Sequence, residues 1–362
     1  MPKVLSKIIL SFALILGLLC LAGIFLVVVL STCEYRPKAE MELGQLGSKT
    51  NSDALTLDAS GSISLLSWNI GYCGLNSEVD FFMDGGKMVR GASRRQLEKN
   101  ANKISSYIKE RNCDFIFLQE VDKKSTRSYK KNQINLLFGK NSGYCLWFAN
   151  NYKCLFVPFP FPPIGKVDAG ILNASKYGVS SAKRISLPVP FKWPIRVANL
   201  KRALLVTRVP IKNSDKELVL INLHLEAYSS GEAQVAQTQV LKKLIESEVA
   251  KGNFVIAGGD FNQTFSSIDL SAYPSLPDKW QPGRIEITEF EEGFTFLMDE
   301  TVPSCRSLDK PYNEKYKSDF QFYIIDGFIL SNNIRVKSFK VEDLYFQNSD
   351  HNPLLLEFEL IN

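Results

Sequence analysis

"YIIDGFILS" (Tyr323–Ser331) and "IRVKSFKVED" (Ile334–Asp343) follow one another almost without a break, and "LLLEFEL" (Leu354–Leu360) completes a set of three late strands. Upstream, strand-like and helix-like segments alternate. "SISLLSW" (Ser62–Trp68), "DFIFLQE" (Asp114–Glu120), "ELVLINLHL" (Glu217–Leu225) and "FVIAGGDFN" (Phe254–Asn262) are apolar runs of strand length. "ASRRQLEKNANKISSYIKERN" (Ala92–Asn112) sets Leu97, Ala101, Ile104 and Ile108 at helical spacing, with an Asn at its end. "EAQVAQTQVLKKLIESEVAKGN" (Glu232–Asn253) reads as a second amphipathic helix ending near Gly252. Alternation early and adjacent strands late predict a layered α/β sandwich rather than a purely parallel doubly wound sheet.

The bulk numbers agree with one large domain. Apolar residues make up 45% of the 362 positions and charged residues 22%, as in ordinary globular chains. The net charge of +5, from 43 basic and 38 acidic residues, falls to +3 without Lys3 and Lys7. That mild bias permits an anionic substrate and does not call for a nucleic-acid groove.

Ile8–Leu30 has no charged residue over 23 positions. A bilayer-crossing helix needs about 20 apolar residues, whereas a signal peptide's apolar core has about 7–15. Residues 1–33 are therefore read as an uncleaved membrane anchor, with a cleaved signal, or lipidation at Cys33, as the alternatives. Lys3 and Lys7 favour a cytoplasmic N-terminus and an extracytoplasmic domain; a secreted or lipid-anchored protein is the other outcome. Glu34–Gly61 is polar with little periodicity and predicts a flexible tether. Residues 62–362 then form the domain.

Seven cysteines, an odd number without a CxxC pair, exclude a disulfide framework or zinc site. Cys145 and Cys154 could still pair across a loop. "FVPFPFPPIG" (Phe156–Gly165) alternates aromatics with prolines and predicts an exposed loop or edge. Its aromatics could also dip into a bilayer.

Several strands end in polar residues for which a core strand has no use: Asn69, Glu120, His224, Asp260 with Asn262, and Asp326 inside "YIIDGFIL". "SDH" adds Asp350 and His351 just before the last strand. Singly, each has a structural explanation, such as a turn cap or a surface pair. Asp326 is harder to explain that way, because a charge within an apolar run needs a partner. The chain has two histidines, and both fall at such positions.

"SWN", "LQEVD", "NLHL", "GGDFN", "IDGFILS" and "SDHNPLLLEF", in this order, resemble the endonuclease/exonuclease/phosphatase superfamily over residues 62–362. "DAGILNASKY" resembles a further family segment. Among the superfamily's members are pancreatic-type deoxyribonucleases, abasic-site endonucleases, neutral sphingomyelinases and inositol polyphosphate 5-phosphatases. The resemblance implies an α+β four-layer sandwich, two mixed β-sheets flanked by helices, that hydrolyses phosphoesters with Mg²⁺ (or Mn²⁺ or Ca²⁺). It implies Glu120, Asp350 and Asn69 as the metal set. Asp260 would activate water, Asn262 would donate to the phosphoryl oxygens, and His351, oriented by Asp326, would contact the phosphate. His224 would protonate the leaving oxygen, and its presence argues against the abasic-site branch. Some members carry an acid where this chain has Gly71, so one ion is expected.

Arg127 and Tyr129, in "STRSYKK", could bind a neighbouring phosphate; a solvated basic loop is the plain alternative. The expected partners are a phosphoester substrate, either nucleic acid or a phospholipid or sphingolipid, and the membrane, with the chain a monomer. An inositol phosphatase and a non-catalytic binding module are the remaining readings.

Overall fold

A computed structural model describes residues 2–47, 50, 53–139, 142–227 and 231–361. The helices are α1 (Pro2–Thr32), α2 (Arg94–Arg111), α3 (Gln133–Phe138) and α4 (Gly231–Val249). The strands in chain order are β1 (Glu40–Glu42), β2 (Ile63–Asn69), β3 (Phe115–Asp122), β4 (Cys145–Val157), β5 (Gly165–Ser175), β6 (Ser181–Ser186), β7 (Ala203–Pro210), β8 (Glu217–His224) and β9 (Phe254–Asp260). They continue with β10 (Gln263–Phe265), β11 (Gly283–Ile285), β12 (Phe294–Leu297), β13 (Cys305–Arg306), β14 (Phe322–Tyr323), β15 (Asp326–Ser331), β16 (Ile334–Val341) and β17 (Leu354–Leu360).

Two mixed sheets form the body. One has the order β1-β6-β7-β8-β9-β15-β12 and the other β16-β17-β2-β3-β5-β4. Their facing surfaces share one core, in which Leu65, Phe117, Leu220, Ile256, Phe328 and Leu356 are all buried. α2 covers the outside of the six-stranded sheet with the predicted stripe Leu97, Ala101, Ile104 and Ile108. Ser93 caps this helix by accepting from the Gln96 amide, and Asn112 ends it in the left-handed region at φ 46°. α4 covers the other sheet through Leu241 and Ile245. The expected four layers are thus present.

Polar pins cross the inter-sheet core. Gln119 Nε2 of β3 donates to Asn222 Oδ1 of β8 at 2.8 Å. Asn222 Nδ2 donates back to the carbonyls of Leu172 and Leu118 at 3.0 and 3.3 Å. Both residues are fully buried. An apolar interface alone tolerates sliding, whereas a buried amide does not, because losing its partner leaves a desolvated polar group.

Three expectations change. The segment Glu34–Gly61 is not a free tether where it is described. β1 adds antiparallel to β6 as the edge strand, Leu46 bridges Leu146, Leu55 bridges Tyr177, and Leu57 enters the core. Its charged residues, which read as solvated linker, are those that suit an edge strand. Positions 48, 49, 51 and 52 of this stretch lie outside the described residues. Second, Cys145 and Cys154 form no disulfide and lie on the one strand β4. Nine residues of strand separate them by about 30 Å, far beyond the roughly 7 Å that a disulfide allows. Third, α1 is not an isolated rod: Leu26 and Leu30 pack on Val157, Val167 and Val197 of the domain, while Val4–Phe25 is exposed. The proline-rich stretch does form the exposed β4–β5 connection, with Phe161 93% exposed.

Replacing Asn222 with Leu leaves Gln119 and two carbonyls short of a partner. We expect a loss of about 2–3 kcal/mol, measured as a lower urea midpoint.

Candidate active site

The parallel pairs β2/β3 and β8/β9 bring their C-terminal ends to one rim of the sandwich. Asn69, His224 and Asp260 are the last residues of β2, β8 and β9. Register completes the set. Asp260 is paired with His224 on one side and with Asp326, the first residue of β15, on the other. Direct cross-strand partners share a face, so these three side chains meet. Asp350 and His351 reach the same rim from the loop before β17, where the Trp68 indole donates to the His351 carbonyl at 2.8 Å.

The contacts cross from sheet to sheet. His351 Nδ1 lies 2.8 Å from Asp326 Oδ2. Asn69 Nδ2 donates to Asp260 Oδ2 at 2.9 Å and lies 3.5 Å from Glu120 Oε1. Asp260 Oδ2 is also 3.4 Å from His224 Nε2 and 3.8 Å from His351 Nε2. All of these residues except Glu120 are buried. Of these, Glu120, His224, Asp260 and His351 line one cavity of about 780 Å³, together with Asn262 and Asp350.

Glu120 reaches it through a bulge. The β3–β5 register slips between Leu118 and Val121, and Glu120 itself has φ 55°. A bulge re-aims a side chain, and a non-glycine residue in the left-handed region carries strain, often at functional sites. Asn262 shares the feature, at φ 50°. Its backbone N–H donates to Asp260 Oδ1 and its Nδ2 to the Leu225 carbonyl. An amide nitrogen has two hydrogens, so one remains for a ligand.

Burial acts oppositely on the acids and bases. Desolvation, helped by neighbouring Asp326, pushes Asp260 up to about 7. Asp350 rises to about 6 through burial, with the Glu120 charge adding to it. For His351, burial opposes the imidazolium but Asp326 outweighs it, so its affinity for a proton is well above ordinary. His224 goes the other way, through burial and the nearby Arg202 charge, and is neutral at pH 7. Its Nδ1 is buried without a partner. The expected proton donor to the leaving oxygen is therefore uncharged in the free protein, because Asp260, the carboxylate 3.4 Å from it, is itself pushed toward its neutral form by burial.

Glu120, Asp350 and the Asn69 amide suit a hard divalent ion, which prefers oxygen ligands and needs only one or two carboxylates. The mutual repulsion of Glu120 and Asp350 is what such an ion relieves. Gly71 bears on ion number: a Cβ there would meet Asp350 Oδ1 at 2.7 Å, and its φ is +46°. No acid fits at that position without displacing Asp350, which favours a single ion.

Arg127 and Tyr129 part company. Arg127 lines the cavity, its Nη2 and Nε 3.1 and 3.2 Å from Asp122 and its guanidinium 3.9 Å from the Tyr72 ring centroid. Tyr129 instead donates to the Ala92 carbonyl at 3.1 Å and does not line the cavity. Sequence reasoning missed Cys305, Arg306 and Tyr72. Cys305 Sγ, an Asp350 oxygen and a His351 nitrogen lie within 4.8 Å of one another. Arg306 is buried and donates to the Asn76 and Ser307 carbonyls. None has a local sequence signal: Cys305 and Arg306 form the two-residue strand β13, and Tyr72 sits in the turn just after β2.

Two variants separate function from stability. Glu120→Gly relieves the left-handed strain and gains about 1 kcal/mol, while its response to divalent metal is lost; melting with and without metal reads both. Asp260 binds its proton more tightly folded than unfolded, so its ionisation costs stability increasingly from pH 4 to about 7 and fully above. Asp260→Asn should therefore melt higher than wild type at pH 8, and the gain should vanish near pH 4.

Comparison with known proteins gives a consistent result. Residues 66–351 match the model of the Endonuclease/Exonuclease/phosphatase family. Among curated proteins none matches. Similar solved structures include an endonuclease/exonuclease/phosphatase from Beutenbergia cavernae (TM-score 0.55, 17% identity, 83% of this chain and 72% of that one). Another, from Bacteroides vulgatus, has TM-score 0.51 and 17% identity over 83% and 100% of the two chains. Truncated TDP2 from Caenorhabditis elegans has TM-score 0.51 and 17% identity over 84% and 99%. At such identities these structures speak for the fold. The family match covers most of the chain, which belongs to the Endonuclease/Exonuclease/phosphatase family of metal-dependent phosphoester hydrolases.

Proposed function

We propose that the chain is a Mg²⁺-dependent phosphodiesterase held at the outer face of a membrane by α1. The observation that carries the reading is the contact chain Asp326–His351–Asp260–Asn69, set beside the Glu120–Asp350 carboxylates in one cavity. Glu120, Asp350 and Asn69 would hold the ion, which supplies positive charge to a phosphoryl oxygen. Asp260, ionised, takes a proton from a water aligned for in-line attack on phosphorus. The new O–P bond forms as the bond to the leaving oxygen breaks. His351, kept cationic by Asp326, and the spare Asn262 N–H donate to the phosphoryl oxygens as charge grows there. His224 gains proton affinity once an anionic phosphate is bound, and then delivers a proton to the leaving oxygen. The intact set of acids, amides and histidines argues against a pure binding module. Every group comes from one chain, so a monomer suffices.

The membrane part rests on α1, a helix long and apolar enough to cross a bilayer, whose side chains are exposed from Val4 to Phe25. A cytoplasmic N-terminus and an extracytoplasmic domain complete this reading.

The full chain in detergent, with bis(4-nitrophenyl) phosphate, tests the chemistry. Turnover should require Mg²⁺ and stop with chelator. Asp260→Asn and His351→Ala should each lose at least about 100-fold, and near-normal turnover in either sinks the proposed roles. The rate should rise with pH through about 7, because Asp260 is protonated, and useless as a base, below it.

A further inference from the structure

The cavity has two unlike sides. Glu120, Asp260, Asp350 and His351 form a polar floor. An apolar part of the lining includes Leu26, Val27, Leu30, Val157, Phe159 and Ile195, of which Leu26, Leu30 and Val157 pack in one cluster. Three of these six belong to the last turns of α1. The helix meant to cross the bilayer is therefore also a wall of the active-site cavity.

The helix fixes the depth of that wall. The charge-free run Ile8–Leu30 is 23 residues, about 35 Å of helix at about 1.5 Å per residue. A hydrocarbon core is about 30 Å thick. The run is used up in crossing, and Leu26–Leu30 falls at the boundary between acyl chains and headgroups. The first charge beyond it, Glu34, is held by Arg196 at 3.0 Å and Lys201 at 3.3 Å, which marks the aqueous side. At the same level lie Trp193 and Ile195, 61% and 64% exposed, and the Trp193 indole donates to Ser31 Oγ of α1 at 3.0 Å. Phe161, 93% exposed, projects from the β4–β5 loop, whose Phe159 is part of the wall. Exposed aromatics beside the end of a spanning helix suit the interfacial belt.

The cavity's cations point away from a long polyanion. Arg127 is committed to Asp122, Arg202 to Glu226 and the His224 carbonyl, and Arg306 to backbone carbonyls. Nucleic-acid affinity needs many phosphate contacts; this floor serves one phosphate.

We propose that the substrate is a lipid phosphodiester drawn from the leaflet in which α1 ends. Its phosphate reaches the polar floor, an acyl chain lies along the wall of Leu26, Leu30 and Val157, and Phe161, Trp193 and Ile195 seat in the interface. One water is consumed and one P–O bond is cleaved, which yields an alcohol and a phosphate monoester. The inference rests on the phosphodiesterase reading and adds its substrate class and route of entry.

The test uses the full chain in vesicles of phosphatidylcholine, and separately of sphingomyelin, with Mg²⁺. Water-soluble bis(4-nitrophenyl) phosphate is assayed alongside. Hydrolysis of at least one lipid is expected, and the two vesicle types tell glycerophospholipid from sphingolipid. The double variant Phe161→Ser/Trp193→Ser should lose about tenfold or more on lipid and keep its rate on the soluble diester. Brominated acyl chains should quench wild-type fluorescence, and Trp193→Phe should abolish most of that quenching. Turnover of the soluble diester with neither lipid touched overturns the inference and leaves the phosphodiesterase reading standing. So does a double variant that handles lipid as wild type does, and Trp193 left unquenched overturns the docking. Failure on soluble and lipid substrates alike overturns both readings.

Discussion

Two buried carboxylates, Asp260 and Asp326, face each other across adjacent strands, and a histidine from the other sheet lies against both. Without that imidazole, burial and the Asp326 charge beside it would drive Asp260 further toward the neutral form. With it, one acid is kept as its partner and the other is free to exchange a proton near neutral pH. The contact joins β15 and β9 of one sheet to the loop before β17 of the other, and Asn69–Asp260 makes a second crossing. The stacking of the sheets must therefore be fixed closely, and the Gln119–Asn222 pin in the core between them supplies that constraint.

Function is written into places where the fold forgoes local comfort. Glu120 and Asn262 occupy left-handed backbone that would suit glycine or a turn. The β-ladders on either side of Glu120 hold it there, and the bulge turns its carboxylate into the cavity. Burial raises Asp260 and depresses His224 while His351 rises. Titratable neighbours pushed apart by their surroundings are a mark of acid–base chemistry.

The N-terminal third ties position to access. Residues after α1 are strapped along both sheets rather than left loose, and Glu34 is clamped by three cations, Arg36, Arg196 and Lys201, as the helix ends. The domain thus has a set attitude to its helix, and the cavity opens beside the helix end. A flexible tether would have left the direction of that opening undetermined.

Much was legible in the chain itself. The periodic stripe of α2, the late adjacent strands and the polar ends of strands are local patterns, and local patterns survive in one dimension. So do the two histidines, the acids and amides at strand ends, and the uncharged run of α1. What could not be read were partnerships over long separations. The strap after α1 looked like a linker because an edge strand needs only a neighbour, not an apolar pattern of its own. Tyr129 looked equivalent to Arg127 two residues away, but the chain turn between them sends one to the cavity and the other to the Ala92 carbonyl. Cys305, Arg306 and Tyr72 carry no local signal. The residue types and their order were determined by sequence. The meeting of Asp326 with His351, the neutral state of His224 and the apolar wall contributed by α1 were decided by tertiary structure, because burial and charge proximity are properties of the packed chain.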